Sequence, residues 1–161
     1  MIELHLKCNE QKSDCISFQL RTTNCGGERL LLPQPEITGL TFIDSKTGKE
    51  AGWFTSVLVS STWAGKVLAP KEHFDVTFQV RPRSVPQPKA DALGQGGDYF
   101  RFCVELHPSI YAVHYAFTVD EDYFDPDSHW GLPQLEREAA KQSAIPWVGT
   151  VKSNILTIQV G

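Results

Sequence analysis

No apolar run in this chain approaches the roughly 20 residues that a membrane-spanning helix needs. Basic charge is also short. Fifteen lysines and arginines stand against 19 acidic residues, a net charge of −4, with no basic stripe. Nucleic acid is therefore not an expected partner. The opening MIELHLK has no basic segment followed by an apolar one, so no secretory signal is visible. With Met1 as the native start the expected location is the cytoplasm; a shortened chain with an added Met is the other reading. None of the four cysteines, Cys8, Cys15, Cys25 and Cys103, makes the C-x-x-C spacing of a zinc or redox site. In a reducing compartment all four are expected as thiols. A Gly-rich phosphate loop, a nucleophile elbow and an internal repeat are missing too.

What the chain does have is alternation. Ile2, Leu4 and Leu6 alternate with Glu3, His5 and Lys7, and Ile16, Phe18 and Leu20 with Ser17, Gln19 and Arg21. Phe74, Val76, Phe78 and Val80 repeat the pattern, as do Leu156, Ile158 and Val160. A period of two puts each set on one face of a strand. The strongest case is 96–119. Phe100, Phe102, Val104 and Leu106 precede HPSI, and Tyr111, Val113, Tyr115, Phe117 and Val119 follow it. That stretch predicts a hairpin with Pro108 and Ser109 at its tip. TGLTFID and VLVSSTW are expected strands, and SKTGKEAG a turn around Gly48. LLLPQPEIT is expected to cross over, because Pro33 and Pro35 disfavour a central strand.

Two stretches break the pattern. Residues 81–97 are rich in Pro and Gly and read as a loop. Residues 120–147 begin acidic and aromatic, then offer good helix formers with Pro133 near their start, so one short helix is expected over 132–143. About eight strands with such turns, in 161 residues, predict an all-β, single-domain antiparallel β-sandwich spanning 1–161, with a closed barrel as the alternative. The expected core holds Ile16, Phe18, Leu20, Phe74, Val76, Phe78, Phe100, Phe102, Val104, Leu156 and Ile158.

The order of signals is also familiar. ISFQLRTTN is followed by Phe42, Asp44, Gly48 and Trp53 in an F-x-D-x-x-x-G-x-x-x-x-W pattern. Leu68, Pro70 and Glu72 then give L-x-P-x-E, and Gly97 and Tyr99 open the next strand. Over residues 14–107 this resembles small bacterial immunoglobulin-like domains of the intracellular proteinase inhibitor type. The resemblance implies an immunoglobulin-like sandwich and supplies no catalytic residues. The chain departs from it at Lys71, where a Pro-Gly-Glu turn would have glycine, and in everything after residue 107.

Candidate chemistry is thin. Asp120, Glu121, Asp122, Asp125 and Asp127 could offer oxygens to Ca²⁺, but no glycine sits where an EF-hand needs one, and solvated turn residues are the plainer reading. His107 and His114 would be neighbours across the expected hairpin, without a third ligand. Cys103 with a hairpin histidine is a formal nucleophile pair, although a mid-strand cysteine usually packs. Trp63 and Trp147 read as core or strand-end plugs. Tyr123, Phe124 and Trp130 stand beside carboxylates in the insertion and are the expected anchors for a partner, most simply a protein. The first functional reading is a non-enzymatic interaction module, without a cofactor, that works through 81–97 and 120–147. Its rivals are a protease inhibitor presenting one of those loops and a small metal-dependent or cysteine enzyme.

Overall fold

Alternation becomes pairing in the computed structural model, which describes residues 1–54, 65–83, 103–124 and 142–161. The strands are β1 (Ile2–Gln11), β2 (Ile16–Asn24), β3 (Leu30–Pro33), β4 (Leu40–Asp44), β5 (Trp53–Phe54) and β6 (Gly65–Leu68). They continue with β7 (His73–Arg83), β8 (Cys103–Glu105), β9 (Ser109–Val119), β10 (Ile145–Pro146), β11 (Gly149–Lys152) and β12 (Leu156–Val160). Helical structure among the described residues is limited to the 3-10 turns Ile37–Gly39 and Glu121–Phe124. The protein is all-β.

One sheet has the order β1-β2-β7-β8-β5. A second is centred on β9, which pairs antiparallel with β4, β11 and β12. Along one flank of β9 run β11 and then β12, and their register slips by one residue between them. The Ser153 N–H reaches the Tyr115 carbonyl there at 2.9 Å. On the other flank lies β4, from Asp44 opposite Tyr111 to Leu40 opposite Tyr115. A small third sheet has the order β10-β3-β6.

The faces follow from the sequence. Ile2, Leu4 and Leu6 of β1 and Ile16, Phe18 and Leu20 of β2 are buried, and every second residue of β9 from Ser109 to Val119 is buried with them. Their partners come from the opposite sheet. Phe18 meets Phe42 edge-on at 5.8 Å, and Phe78 lies flat on Tyr115 at 5.6 Å. Side chains sew the sheet edges together as well. The Asn154 amide accepts from the Leu6 N–H at 2.7 Å and donates to the Leu6 carbonyl at 3.0 Å. Gln11 donates to the Gln159 carbonyl. The two Asn154 bonds occupy main-chain groups of β1, and the Gln11 bond one of β12, that an exposed edge would leave unpaired.

Of the expected core, Ile16, Phe18, Leu20, Phe74, Phe78, Val104 and Ile158 are buried. Val76 and Leu156 are half-buried and pack against that cluster. Phe100 and Phe102, with the VLVSSTW segment and the helix expected over 132–143 up to Lys141, lie outside the described residues.

Three expectations are corrected. The stretch ending at Val119 is not a hairpin: β8 joins β7 and β5, while β9 joins the other sheet. Alternation assigns a residue to a face, not to a sheet. The crossing at His107 and Pro108 is braced instead by Tyr111, whose hydroxyl accepts from the His107 N–H at 2.9 Å and donates to its carbonyl at 3.1 Å. The pairing is also not wholly antiparallel, since β7–β8 and β3–β10 are parallel. And LLLP is a central strand, every residue buried, because Pro33 falls at its end, where ladder bonds cease.

The turn before β7 explains the departure at Lys71. Glu72 N–H reaches the Ala69 carbonyl at 3.1 Å, with Pro70 and Lys71 between. Lys71 has φ of 65°, the left-handed region where a Cβ is strained. Lys71→Gly should therefore stabilise the protein by about 0.5–1 kcal/mol, after the extra unfolded-state freedom of glycine is deducted. A melting temperature that stays level or falls would mean that the lysine side chain holds the turn by other contacts.

Candidate functional site

Beyond Tyr115 the lane beside β9 changes character. β4 ends at Leu40, and the residues before it leave the lane through the 3-10 turn Ile37–Gly39. Pro33 and Pro35 stiffen the chain leading there, since each fixes its own φ. A cleft of about 380 Å³ opens between this segment and β9. Gln34, Glu36 and Thr38 line one wall, residues 115–119 the other, and Tyr123 also faces it.

The wall formed by β9 has a polar edge. Residues of an antiparallel strand alternate between the neighbours they bond. Tyr115 bonds toward Ser153. By alternation Ala116 and Thr118 aim their N–H and C=O groups at the opposite flank, the one β4 has left. No described strand pairs with them on that side.

Two phenols and one carboxylate complete the site. Tyr115 is buried, and its hydroxyl donates to the Glu36 carbonyl at 2.8 Å. Burial raises its pKa well above the ordinary value. Tyr123 is pushed up to about 12, first by burial and then by the nearby charge of Glu36. Both are neutral donors at physiological pH. The Glu36 carboxylate is exposed, does not cap the turn that follows it, and has no described ion-pair partner. This set can hydrogen-bond and attract a cation. It brings together no nucleophile with an adjacent base.

The raised phenols set an alkaline limit on stability. Below pH 10 they are neutral in both the folded and the unfolded chain, so they contribute no pH dependence. Above pH 10 the unfolded chain ionises first, and stability should fall steadily toward pH 12 and beyond. Ultraviolet titration should show Tyr115 and Tyr123 ionising only as circular dichroism reports unfolding. Ionisation of Tyr115 and Tyr123 near pH 10 with the fold intact would contradict this.

The sequence-predicted anchors part company here. Tyr123 faces the cleft. Phe124 is turned inward: it is 7% exposed, belongs to the core cluster, and packs edge-on to Tyr123 at 5.4 Å. It falls on the inner side of the 3-10 turn, where an aromatic ring is buried rather than presented. Trp130, Asp125 and Asp127 lie outside the described residues, as does the Asp122 side chain. Asp120 behaves as a turn residue, its carboxylate and its carbonyl both accepting from the Tyr123 N–H. His107 lies 3.6 Å from Glu105, whereas His114 sits across from Thr41 on β9, with its pKa lowered by burial and by Lys152. His107 lies in the crossing between the two sheets and His114 within β9, so they are not neighbours across a hairpin. Cys103 is buried, none of the four cysteines forms a disulfide, and no cluster of three metal-ligating side chains occurs among the described residues. Trp147 stacks on Phe117 at 5.6 Å, and the Trp53 indole donates to the Leu40 carbonyl at 3.0 Å.

Sequence reasoning missed Glu36, Thr38, Tyr115 and the edge of β9. PQPEITG carried a usable signal, because two prolines and a glycine mark a chain that cannot stay paired with a neighbouring strand. Which strand it would leave uncovered is not written there. Comparison of the chain with family models, curated proteins and solved structures returned no match.

Proposed function

We propose that this protein is a non-enzymatic interaction module of immunoglobulin-like build, and that the cleft beside β9 holds its partner, a protein. Two observations support the build. β1-β2-β7 and β4-β9-β12 repeat the A-B-E and C-F-G neighbours of immunoglobulin sheets. Tyr111, near the start of β9, bonds back to the main chain four residues upstream, as the tyrosine corner of such domains does. The observation that carries the function is the cleft itself: aromatic at its base, edged by peptide groups, and overlooked by a carboxylate that no described cation occupies. Concave apolar surface with a few convergent polar groups is the usual anatomy of a binding site.

The test is a comparison of variants. Immobilised wild type should capture a partner from host lysate, and Thr157→Arg, on exposed β12 surface, should capture it equally. Thr38→Arg and Tyr123→Ala, both folded by circular dichroism, should lose at least about tenfold of that capture, or roughly 1.4 kcal/mol. Capture unaffected by the two cleft variants would move the site elsewhere.

A further inference from the structure

We propose that the cleft takes an extended peptide as an added β-strand along residues 116–119 of β9, and selects a peptide with a basic side chain. The inference rests on the reading of the cleft as a binding site and adds the mode and the chemistry of recognition.

The main chain carries the first step. A strand edge with unpaired N–H and C=O groups is a template for another strand. Ala116 and Thr118 aim theirs at the flank where β4 stops at Leu40, and no described strand pairs with them there. β4 itself shows that this lane accepts a neighbour, for it pairs with residues 111–115 of the same strand. The turn Ile37–Gly39 then carries the chain out of the lane and leaves the cleft in its place. Four residues of edge span about 13 Å, and a paired strand sits about 4.8 Å away. The opening of about 380 Å³ suits a few residues of extended chain.

Charge selects among such peptides. Glu36 overlooks the lane from the far wall, and Asp120 and Glu121 stand exposed just past the end of β9. No described lysine or arginine lines the cleft. Among the described residues, a peptide side chain that turns from the lane toward Glu36 therefore meets only negative charge. A lysine or arginine at that position is favoured and an acidic residue is not.

The experiment uses the whole chain, labelled with 15N, and a capped peptide of alternating Val and Thr, about six residues long, with one central Lys. Two companions carry Glu in place of that Lys, or N-methyl groups on alternate amides. On adding the Lys peptide, the Ala116 and Thr118 amide signals should shift and their hydrogen exchange should slow by about tenfold or more. The N-methylated peptide should not bind, the Glu peptide should bind more weakly, and Glu36→Gln should narrow that difference. Three results would overturn strand addition: amides at 116 and 118 already protected in the free protein, equal binding of the N-methylated peptide, or no response at millimolar peptide. The second leaves the cleft as a binding site, recognising side chains instead. Shifts confined to another surface, with lysate capture indifferent to Thr38→Arg, would remove both. A concentration-dependent dimer that protects these amides would assign the edge to a second copy and overturn the peptide.

Discussion

Phe42→Ala should lower the free energy of unfolding by about 3–5 kcal/mol, the range for removing a fully buried aromatic ring. Phe42 is wholly buried in β4 and touches aromatic rings from two other strands. Phe18 of β2 meets it edge-on at 5.8 Å and Trp53 of β5 at 6.0 Å. The first contact joins the two large sheets, so the void left by alanine would open between faces that secondary structure on either side holds apart. Collapse is further limited because the Trp53 indole is tied to the Leu40 carbonyl. Phe42→Leu refills most of the volume and should cost less than half as much. Denaturant midpoints of the two variants settle the point. An alanine variant that unfolds with its parent would show that the sheets do not depend on this contact.

How much of this was legible beforehand depends on the kind of information each residue carries. Face is local: Ile2, Leu4 and Leu6, or Ile16, Phe18 and Leu20, announce burial by spacing alone, and all six are buried. Sheet membership is not local. Val104 and Tyr111 stand seven residues apart with the same alternation around them, yet they serve different sheets. What decides between a hairpin and a crossing is where the Tyr111 hydroxyl finds its partners, a matter of three dimensions. LLLP was misread for a related reason. Proline removes one donor at one position, and at Pro33 that position lies at the end of the ladder.

The candidate site was half legible. Tyr123 stood out because an aromatic residue among carboxylates is unusual, and it faces the cleft. Phe124, adjacent to it, carried the same sequence signal and is buried, since neighbouring residues of a 3-10 turn point in different directions. Glu36 and Thr38 had no signal of their own. Their significance comes from the gap beside β9, produced by the strand register and by the length of β4.

Gly39→Ala is the second large effect expected, and it acts on both the fold and the cleft. A Cβ built on Gly39 would lie 2.4 Å from Cζ, 2.6 Å from the hydroxyl oxygen and 2.7 Å from Cε2 of Tyr115. Such distances force a movement, and the ring has little freedom to make it. It is buried, stacked on Phe78 with an interplanar angle of 2°, and bonded through its hydroxyl to the Glu36 carbonyl. The alanine must displace either the ring or the turn Ile37–Gly39, and overpacking of this kind costs about 1–3 kcal/mol, sometimes more. Either movement also shifts Glu36 relative to β9, so the binding ascribed to the cleft should weaken together with stability. A double-mutant cycle separates the clash from any general intolerance of alanine at this position. With Tyr115→Leu as the background, the ring is gone, and Gly39→Ala should cost no more than a few tenths of a kcal/mol. An equal cost in both backgrounds would mean that glycine is needed for its backbone freedom, and that Tyr115 does not set the position of this wall.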